Sequence, residues 1–254
     1  MSIWTMTFAT RRRPLTIAHR GGCAAGADNS HAVCVAAAAA GTDALEVDLR
    51  LTHDHVAICR HDPDVTTPAD GIVPVSTMRF AALQAAEPKI ACFRDVAEIG
   101  HPIYLDVKET ADRQINLLAT IHKLNVPRDW IVGVHDAATA HQLARRWPNL
   151  RQVGLMLDVE AIAAFASIRK GQWIRLHEPR VTRDLMETVR AHGLSVMVTC
   201  GGGDRGIGDI DESALTTLLH FQPDALIVND VVLARRVIDR AFPSHLPDPV
   251  PANG

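Results

Sequence analysis

The sequence predicts an α/β protein, a TIM-type (β/α)8 barrel, on three observations. Short apolar runs alternate with longer amphipathic runs along the whole chain. Strand–helix alternation indicates a parallel sheet with right-handed crossovers. Eight such units in 254 residues match the count and size of this barrel. A doubly wound open sheet is the alternative, but no Gly-x-Gly-x-x-Gly motif follows the first strand.

The eight predicted strands share a nearly continuous apolar character, as expected of strands buried on both faces. They are Leu15–His19, Ala44–Leu49, Ile103–Val107, Trp130–Val134, Gln152–Leu157, Trp173–His177, Ser195–Thr199 and Ala225–Val228. The predicted helices begin with residues suited to capping, except for an Ala-rich run over 32–40. The capped helices are Asp136–Trp147, Asp158–Ile168, Thr182–His192, Asp211–Phe221 and Asp230–Ala241.

The second strand is predicted to continue into a β-hairpin. Only a few residues separate it from the apolar run Val56–Cys59, which is too short a distance for a helical crossover. A turn near Asp54 and His55 would place Asp48 opposite His61. The second arm then lies outside the barrel, and the barrel keeps eight strands.

A short insertion is predicted after the hairpin. It covers Pro63–Gly100 and contains helices at Ser76–Leu83 and Phe93–Ile99. The sequence indicates one domain over residues 1–242, followed by a Pro-rich flexible tail over 243–254.

Composition excludes several classes of protein. A formal charge of −3 argues against a general nucleic-acid binder, which normally has a basic face. The five widely spaced cysteines predict reduced thiols rather than a disulfide framework. No apolar run is long enough to span a bilayer, and no signal-peptide pattern begins the chain. We therefore expect a soluble, cytoplasmic protein without a membrane span.

Candidate site residues follow from where barrels place their active sites, at the carboxyl ends of the strands. Three carboxylates from adjacent strands would repel one another unless a cation neutralised them, and oxygen ligands suit Mg²⁺ or Ca²⁺. Two histidines flank the carboxylates, and two basic residues supply positive charge. The set is Glu46, Asp48 and Asp106 for the metal, His19 and His61 for proton transfer, and Arg20 and Lys108 for an anion. Together they indicate phosphoryl chemistry on a small-molecule anionic ester.

Other strand-end residues are weaker candidates. His135 and His177 end the fourth and sixth strands, so substrate contact is one reading and surface packing the other. Gly201–Gly208 is read as a flexible loop, with a substrate lid as the alternative. Cys200 has no partner residue that would indicate a nucleophile.

Motifs across most of the chain resemble the glycerophosphodiester phosphodiesterase family. They are Ile17–Gly21 (His-Arg-Gly), Leu45–Asp48 (Glu-x-Asp), His61–Asp62, Leu105–Lys108 and Asp224–Asp230, in the family's order. The resemblance implies a metal held by Glu46, Asp48 and Asp106, and acid–base catalysis by His19 and His61. It also implies that Arg20 and Lys108 contact the phosphate. The implied reaction releases sn-glycerol 3-phosphate and an alcohol.

Several positions depart from the family pattern. Asp106 stands where the family usually has Glu, and Ala27–Ser30 replaces Pro-Glu-Asn-Thr. We favour His61 as base and His19 as acid, and the reverse assignment stays open. A phospholipase D-like or sugar-phosphodiester enzyme on the same centre is an alternative function. A barrel that binds a phosphorylated ligand without catalysis is another.

Overall fold

Eight parallel strands close into a barrel. A computed structural model describes residues 2–6, 8–22, 26–67, 71–156, 158–168 and 172–243 of the chain. The barrel strands, in chain order, are β1 (Leu15–Ala18), β2 (Ala44–Leu51), β7 (Ile103–Val107), β8 (Trp130–Val134), β9 (Arg151–Gly154), β10 (Trp173–His177), β11 (Ser195–Thr199) and β14 (Ala225–Val228). Each pairs in parallel with its neighbours, and β1 closes the barrel by pairing with both β2 and β14. All eight predicted strands are confirmed, and the open-sheet alternative is excluded.

Helices surround the barrel between its strands. They are α1 (Phe8–Arg11), α2 (His31–Ala39), α3 (Phe80–Ala86), α4 (Phe93–Glu98), α5 (Ala111–Ile121), α6 (Ala137–Arg146), α7 (Val159–Ile168), α8 (Arg183–Ala191), α9 (Glu212–Leu219) and α10 (Val231–Ala241). The predicted caps are confirmed: Asp136, Asp211 and Asp230 each accept a backbone N–H in the first turn of the helix they precede. Such a cap contributes about 1 kcal/mol. None of the described helices is long and apolar enough to cross a bilayer.

The predicted β-hairpin is present, but its register differs by one residue from the prediction. The antiparallel arm is β3 (Ala57–Cys59), and Leu49 lies opposite Cys59. Asp48 therefore lies opposite Arg60, whose N–H donates to the Asp48 carbonyl at 2.8 Å. The Thr52 hydroxyl accepts the Val56 N–H and donates to the Val56 carbonyl. These bonds centre the turn on Asp54 rather than between Asp54 and His55. His61 is thus one residue beyond the position predicted for it.

The insertion contains more strand than predicted. A small hairpin pairs β4 (Asp64–Thr67) with β5 (Gly71–Pro74), and β6 (Ala91–Cys92) extends the barrel sheet beside β3. The helix predicted at Ser76–Leu83 starts later, at Phe80, after a 3-10 turn over Val75–Thr77. Met78 is extended because its carbonyl accepts the N–H of His53, which delays the helix.

The run after β11 also differs from the prediction of a flexible loop. It forms a short hairpin of β12 (Gly201–Gly202) and β13 (Arg205–Ile207). Left-handed φ angles at Gly201 and Gly203, which glycine adopts without a side-chain clash, allow the tight turn. Leu157 and residues 244–254 of the predicted tail lie outside the described residues.

Two cores lie on the two sides of the barrel wall. The larger one packs the outer strand faces against the helices. The smaller one fills the amino-terminal half of the barrel interior. It contains Trp4, Leu15, Ile17, Ala44, Tyr104, Ile131, Val153, Trp173, Met197, Ala225 and Ile227. The indole Nε1 of Trp173 donates to the Trp4 carbonyl at 3.0 Å, so Trp4 closes this end of the barrel.

Candidate active site

Strand periodicity brings the polar side chains of the site together. Alternate residues of a strand face the same side, so the inward-facing apolar residues continue two positions later as polar ones. Ala44 is followed by Glu46 and Asp48, Tyr104 by Asp106, and Trp173 by Arg175. By the same rule, Ile17 is followed by His19 and Ile227 by Asn229. The carboxyl-terminal half of the barrel is thus lined by charge, above an apolar floor.

Glu46, Asp48 and Asp106 form a compact acidic cluster. One carboxylate oxygen from each lies within 4.8 Å of the others, and all three residues are buried. The Oδ1 atom of Asp106 is buried and has no hydrogen-bond partner among the residues that the structure describes. A buried, unpartnered carboxylate oxygen beside two more carboxylates is a donor set that fits a hard divalent cation. The residues present therefore fit a metal ion.

Backbone and amide groups fix the orientation of two of these carboxylates. The Asn29 side chain donates to Asp48 Oδ2 and accepts the Asp48 N–H, both at 2.9 Å. The Arg20 N–H donates to Glu46 Oε2 at 2.7 Å. The Arg20 guanidinium also lies 3.2 Å from Asp48 Oδ2. Arg20, predicted as a phosphate contact, thus already lies against the acidic cluster.

Arg175 is a buried charged residue that the sequence analysis missed. Its Nη1 donates to Asp106 Oδ2 at 2.6 Å and to the Tyr104 hydroxyl at 3.1 Å, and its Nε donates to Thr199 at 2.7 Å. Lys108 Nζ bridges the cluster, 3.0 Å from Asp106 and 3.2 Å from Asp48. The only sequence signal for Arg175 was an Arg within the otherwise apolar run Trp173–Leu176.

These neighbours shift the pKa values of Glu46 and Asp106 in opposite directions. Burial, with the charges of Asp48 and Asp106, raises the pKa of Glu46 to about 8. Burial alone would also raise the pKa of Asp106, but Arg175 and Lys108 reverse the effect and lower it to about 2. At neutral pH the raised pKa therefore keeps Glu46 largely protonated.

His19 is buried, and its ring is oriented by one hydrogen bond. Its Nδ1 lies 2.8 Å from Asn229 Oδ1. Burial lowers the pKa of His19 to about 4, and the charges of Arg20 and Arg175 contribute. The imidazole is therefore neutral over the physiological range.

His61 follows β3, on the second arm of the hairpin. Its side chain is 41% exposed, and its Nδ1 lies 2.9 Å from Asp62. A cavity of about 560 Å³ opens beside it, lined also by Asp28, Asn29 and Glu87. The Arg50 guanidinium holds the His61 carbonyl at 2.6 and 2.8 Å and the Lys108 carbonyl at 2.9 Å. This one side chain therefore connects the hairpin to β7.

The two weaker histidine candidates lie at the same end of the barrel but outside the acidic cluster. His177 ends β10 and is half-buried, and burial together with the Arg175 charge lowers its pKa. His135 follows β8 with an exposed side chain. Their role in substrate contact stays a prediction.

Comparisons with known proteins agree with the resemblance seen in the motifs. Residues 19–125 match the model of the Glycerophosphoryl diester phosphodiesterase family. A probable glycerophosphodiester phosphodiesterase 1 of Mycobacterium tuberculosis is 38% identical over 74 residues, which are 29% of this chain. The matched segment is 27% of the length of that protein. The match to the family model confirms the resemblance.

Solved structures confirm the fold over nearly the whole chain. A glycerophosphoryl diester phosphodiesterase from Parabacteroides distasonis has a TM-score of 0.77 at 19% identity, covering 96% of this chain and 93% of its own. A phosphodiesterase from Oleispira antarctica, in complex with the product sn-glycerol-3-phosphate, has a TM-score of 0.76 at 18% identity. That match covers 91% of this chain and 99% of the other.

Proposed function

We propose that this chain, whose residues 19–125 match the model of the glycerophosphoryl diester phosphodiesterase family, hydrolyses glycerophosphodiesters with the help of a divalent metal ion. The observation that carries the proposal is the acidic cluster of Glu46, Asp48 and Asp106 at the end of the barrel where His19 is also buried. The neighbouring phosphodiesterase from Oleispira antarctica holds sn-glycerol-3-phosphate, and we propose the same product here.

Glu46, Asp48 and Asp106 would hold the metal ion, which we take to be Mg²⁺ or Ca²⁺ because all three donors are oxygens. When bound, the ion supplies charge neutralisation for the phosphate oxygens. Arg20 and Lys108 add fixed positive charge at the same place, since both contact Asp48. Arg suits a bidentate contact with a phosphate, and Lys suits a point contact.

We assign proton transfer to the two histidines, with His19 as the base. The lowered pKa of His19 supports this choice, because at pH 7 the buried imidazole is mostly without the proton that an acid would donate. His19 takes the proton of the attacking hydroxyl as its oxygen bonds to phosphorus. His61 donates a proton to the departing alkoxide oxygen as the bond between that oxygen and phosphorus breaks. This assignment is the reverse of the one favoured from sequence.

The attacking hydroxyl has two sources that differ in product. A hydroxyl of the glycerol moiety would release the alcohol and give a cyclic phosphate, whose ring water then opens by breaking one P–O bond. Water as the first attacker would give the phosphomonoester directly. Both routes leave sn-glycerol 3-phosphate and a free alcohol at the end. Product analysis over time separates them.

The test is turnover on a panel of diesters with added Mg²⁺ or Ca²⁺. Glycerophosphocholine, glycerophosphoethanolamine and bis(4-nitrophenyl) phosphate cover natural and artificial leaving groups. We expect His19→Asn to lose about 10²- to 10⁴-fold in kcat, since that is what a general base contributes. The Asn amide can still donate to Asn229, which preserves the local hydrogen bond. His141→Asn, on the exposed face of α6, is the matched control.

Two outcomes would contradict the proposed reaction, and a third would contradict the assignment of the base. Binding of diesters without turnover on any of them would indicate a non-catalytic phospho-ligand barrel. No turnover on this panel, with turnover of an intact phospholipid or a sugar diester assayed in parallel, would indicate a phospholipase D-like or sugar-phosphodiester enzyme. Equal rates in His19→Asn and wild type would refute the assignment of the base.

A further inference from the structure

We propose that Asn229 and the glycine hairpin, defined as residues 201–208, are positioning groups that hold His19 in one tautomer with Nε2 free to accept a proton. This inference rests on the proposed function, because it assumes that His19 is the base. It assigns a role to the Gly-rich run after β11, which carries no catalytic side chain of its own.

The orientation of the Asn229 amide follows from its other contacts. Its Nδ2 donates to Asp209 Oδ1 at 2.8 Å and to the Ile207 carbonyl at 3.0 Å. Both partners only accept hydrogen bonds, so the nitrogen must face them and the oxygen must face His19. Asn229 Oδ1 is an acceptor 2.8 Å from His19 Nδ1, which therefore carries the proton. In the neutral ring the lone pair then lies on Nε2.

Gly208 packs directly against the His19–Asn229 hydrogen bond. A Cβ atom at Gly208 would be 2.3 Å from Asn229 Oδ1 and 2.5 Å from His19 Nδ1, closer than any real contact allows. Its φ of 87° is also in the left-handed region. The Asn229 N–H donates to the Gly208 carbonyl at 2.7 Å, which joins the two residues through the backbone as well. Only glycine lets the hairpin approach the ring this closely.

The hairpin is fixed to its neighbours at the other end. Glu178, just after β10, accepts the Gly201 N–H at 2.7 Å and forms an ion pair with Arg205. Arg205 also donates to the Asp209 carbonyl at 3.1 Å. A continuous set of contacts thus runs from the end of β10 through the hairpin to Asn229 and His19. A fixed hairpin, rather than a mobile lid, is what a positioning role needs.

The opposite tautomer would be inactive as a base. It would direct the Nδ1 lone pair at the Asn229 oxygen and place the proton on Nε2, where no proton could be accepted. Removing the Asn229 acceptor should therefore affect the chemical step and leave substrate binding largely intact. We expect Asn229→Ala to lower kcat about 10- to 100-fold, part of the about 10²- to 10⁴-fold that a general base contributes. KM should change less than about twofold, as expected for a group that acts only in the chemical step.

Exchanging the Asp and the Asn of the contacting pair Asn229 and Asp209 should restore part of the lost activity. Asn229→Asp alone faces Asp209 with a second carboxylate, so it should be as slow as Asn229→Ala. Adding Asp209→Asn restores a donor opposite the new carboxylate, which still accepts from His19 Nδ1. We expect the double variant to recover at least about tenfold in kcat over Asn229→Asp. Recovery is partial because the Ile207 carbonyl loses its donor.

The glycine contribution has a matched control inside the hairpin. Gly208→Ala introduces the close contacts with Asn229 and His19. Gly203→Ala introduces a similar left-handed strain, at φ 65°, but its Cβ would have nothing within 4 Å. We expect a kcat loss of about 10-fold or more for Gly208→Ala and less than about twofold for Gly203→Ala.

The tautomer itself is measured by ¹⁵N NMR of the metal-free protein at pH 7, independently of turnover. We expect a pyrrole-like Nδ1 and a pyridine-like Nε2 resonance for His19, and a tautomer mixture in Asn229→Ala. A wild-type tautomer in Asn229→Ala, or wild-type kcat in both Asn229→Ala and Gly208→Ala, would overturn the positioning role. Full activity in His19→Asn would instead refute His19 as the base in the proposed function, while leaving the tautomer result of the wild type unchanged.

Discussion

Single residues from different strands bring acidic and basic side chains together at the carboxyl end of the barrel. Asp48 and Asp106 form ion pairs with Arg20, Lys108 and Arg175, and Arg175 is the most deeply buried of these cations, with a side chain 7% exposed. Its ion pair with Asp106 is almost fully buried. Without Arg175, the Asp106 carboxylate would keep Lys108 as its one ion-pair partner among the described residues. Removing one partner of such a pair is costly, because the remaining charge keeps its desolvation penalty.

Arg175→Met is expected to reduce the free energy of unfolding by about 3–5 kcal/mol. The Tyr104 hydroxyl and Asp106 both lose a donor in this variant. Urea denaturation of the metal-free protein measures the change. Arg145→Met, exposed on α6, serves as control and should change it by less than about 0.5 kcal/mol. A loss below about 1 kcal/mol for Arg175→Met would show that the buried pair contributes little.

The pH dependence of turnover also depends on a single residue, His19. Burial lowers the pKa of His19 to about 4, with Arg20 and Arg175 lowering it and Asp48 raising it. A base is lost when it is protonated, so kcat/KM should fall as the pH drops through the pKa of the free enzyme. We expect this acidic limb below pH about 6, under the 6.5 of an ordinary histidine. A limb at or above pH about 6.5, measured at saturating metal, would contradict His19 as the base.

Among the elements, the β2–β3 hairpin positions His61 through Arg50. The planar guanidinium of Arg50 binds the carbonyls of His61 and Lys108 together, which joins two predicted site residues from different elements. A Lys ammonium lacks the fork geometry that holds both carbonyls.

Arg50→Lys should therefore lower kcat/KM about 10- to 100-fold, because small displacements of reacting groups have effects of this size. The free energy of unfolding should fall by no more than about 3 kcal/mol, the value of a hydrogen bond to a charged group. Steady-state kinetics and urea denaturation measure the two effects. Arg94→Lys, exposed on α4, is the control and should leave both unchanged. Wild-type kinetics in Arg50→Lys would remove the hairpin from the positioning of His61.

Sequence patterns predicted the elements better than their pairings. The eight strands were visible because each is a short apolar run, and the carboxylates because they interrupt such runs at strand ends. The hairpin register was wrong by one residue because it depends on the Thr52 side chain in the turn. Arg175 was missed because its partner Asp106 is 69 residues away in the chain. The role of Asn229 needed the closed barrel, which brings it to His19 across 210 residues.

For the whole molecule, metal binding should appear as added stability. A ligand that binds only the folded state at 100 times its Kd adds about 2.7 kcal/mol. We expect Mg²⁺ or Ca²⁺ to raise the Tm of the wild type by several degrees, and Glu46→Gln to lose most of that rise. Without metal the variant should match the wild type near pH 7, since the raised pKa keeps Glu46 largely protonated.

The control for this prediction is Glu98→Gln, exposed on α4 and outside the acidic cluster. This variant should show the full metal-dependent rise in Tm. Differential scanning fluorimetry with and without EDTA measures that rise. An unchanged Tm of the wild type across all metal concentrations would contradict a metal site at the cluster.

The most direct measurement is a crystal structure of the protein grown with Mg²⁺ or Ca²⁺ and sn-glycerol 3-phosphate. The account predicts one ion bound by oxygens of Glu46, Asp48 and Asp106, with the phosphate beside it and within reach of His19 Nε2. An ion bound elsewhere, or a phosphate seated away from both His19 and the three carboxylates, would contradict it.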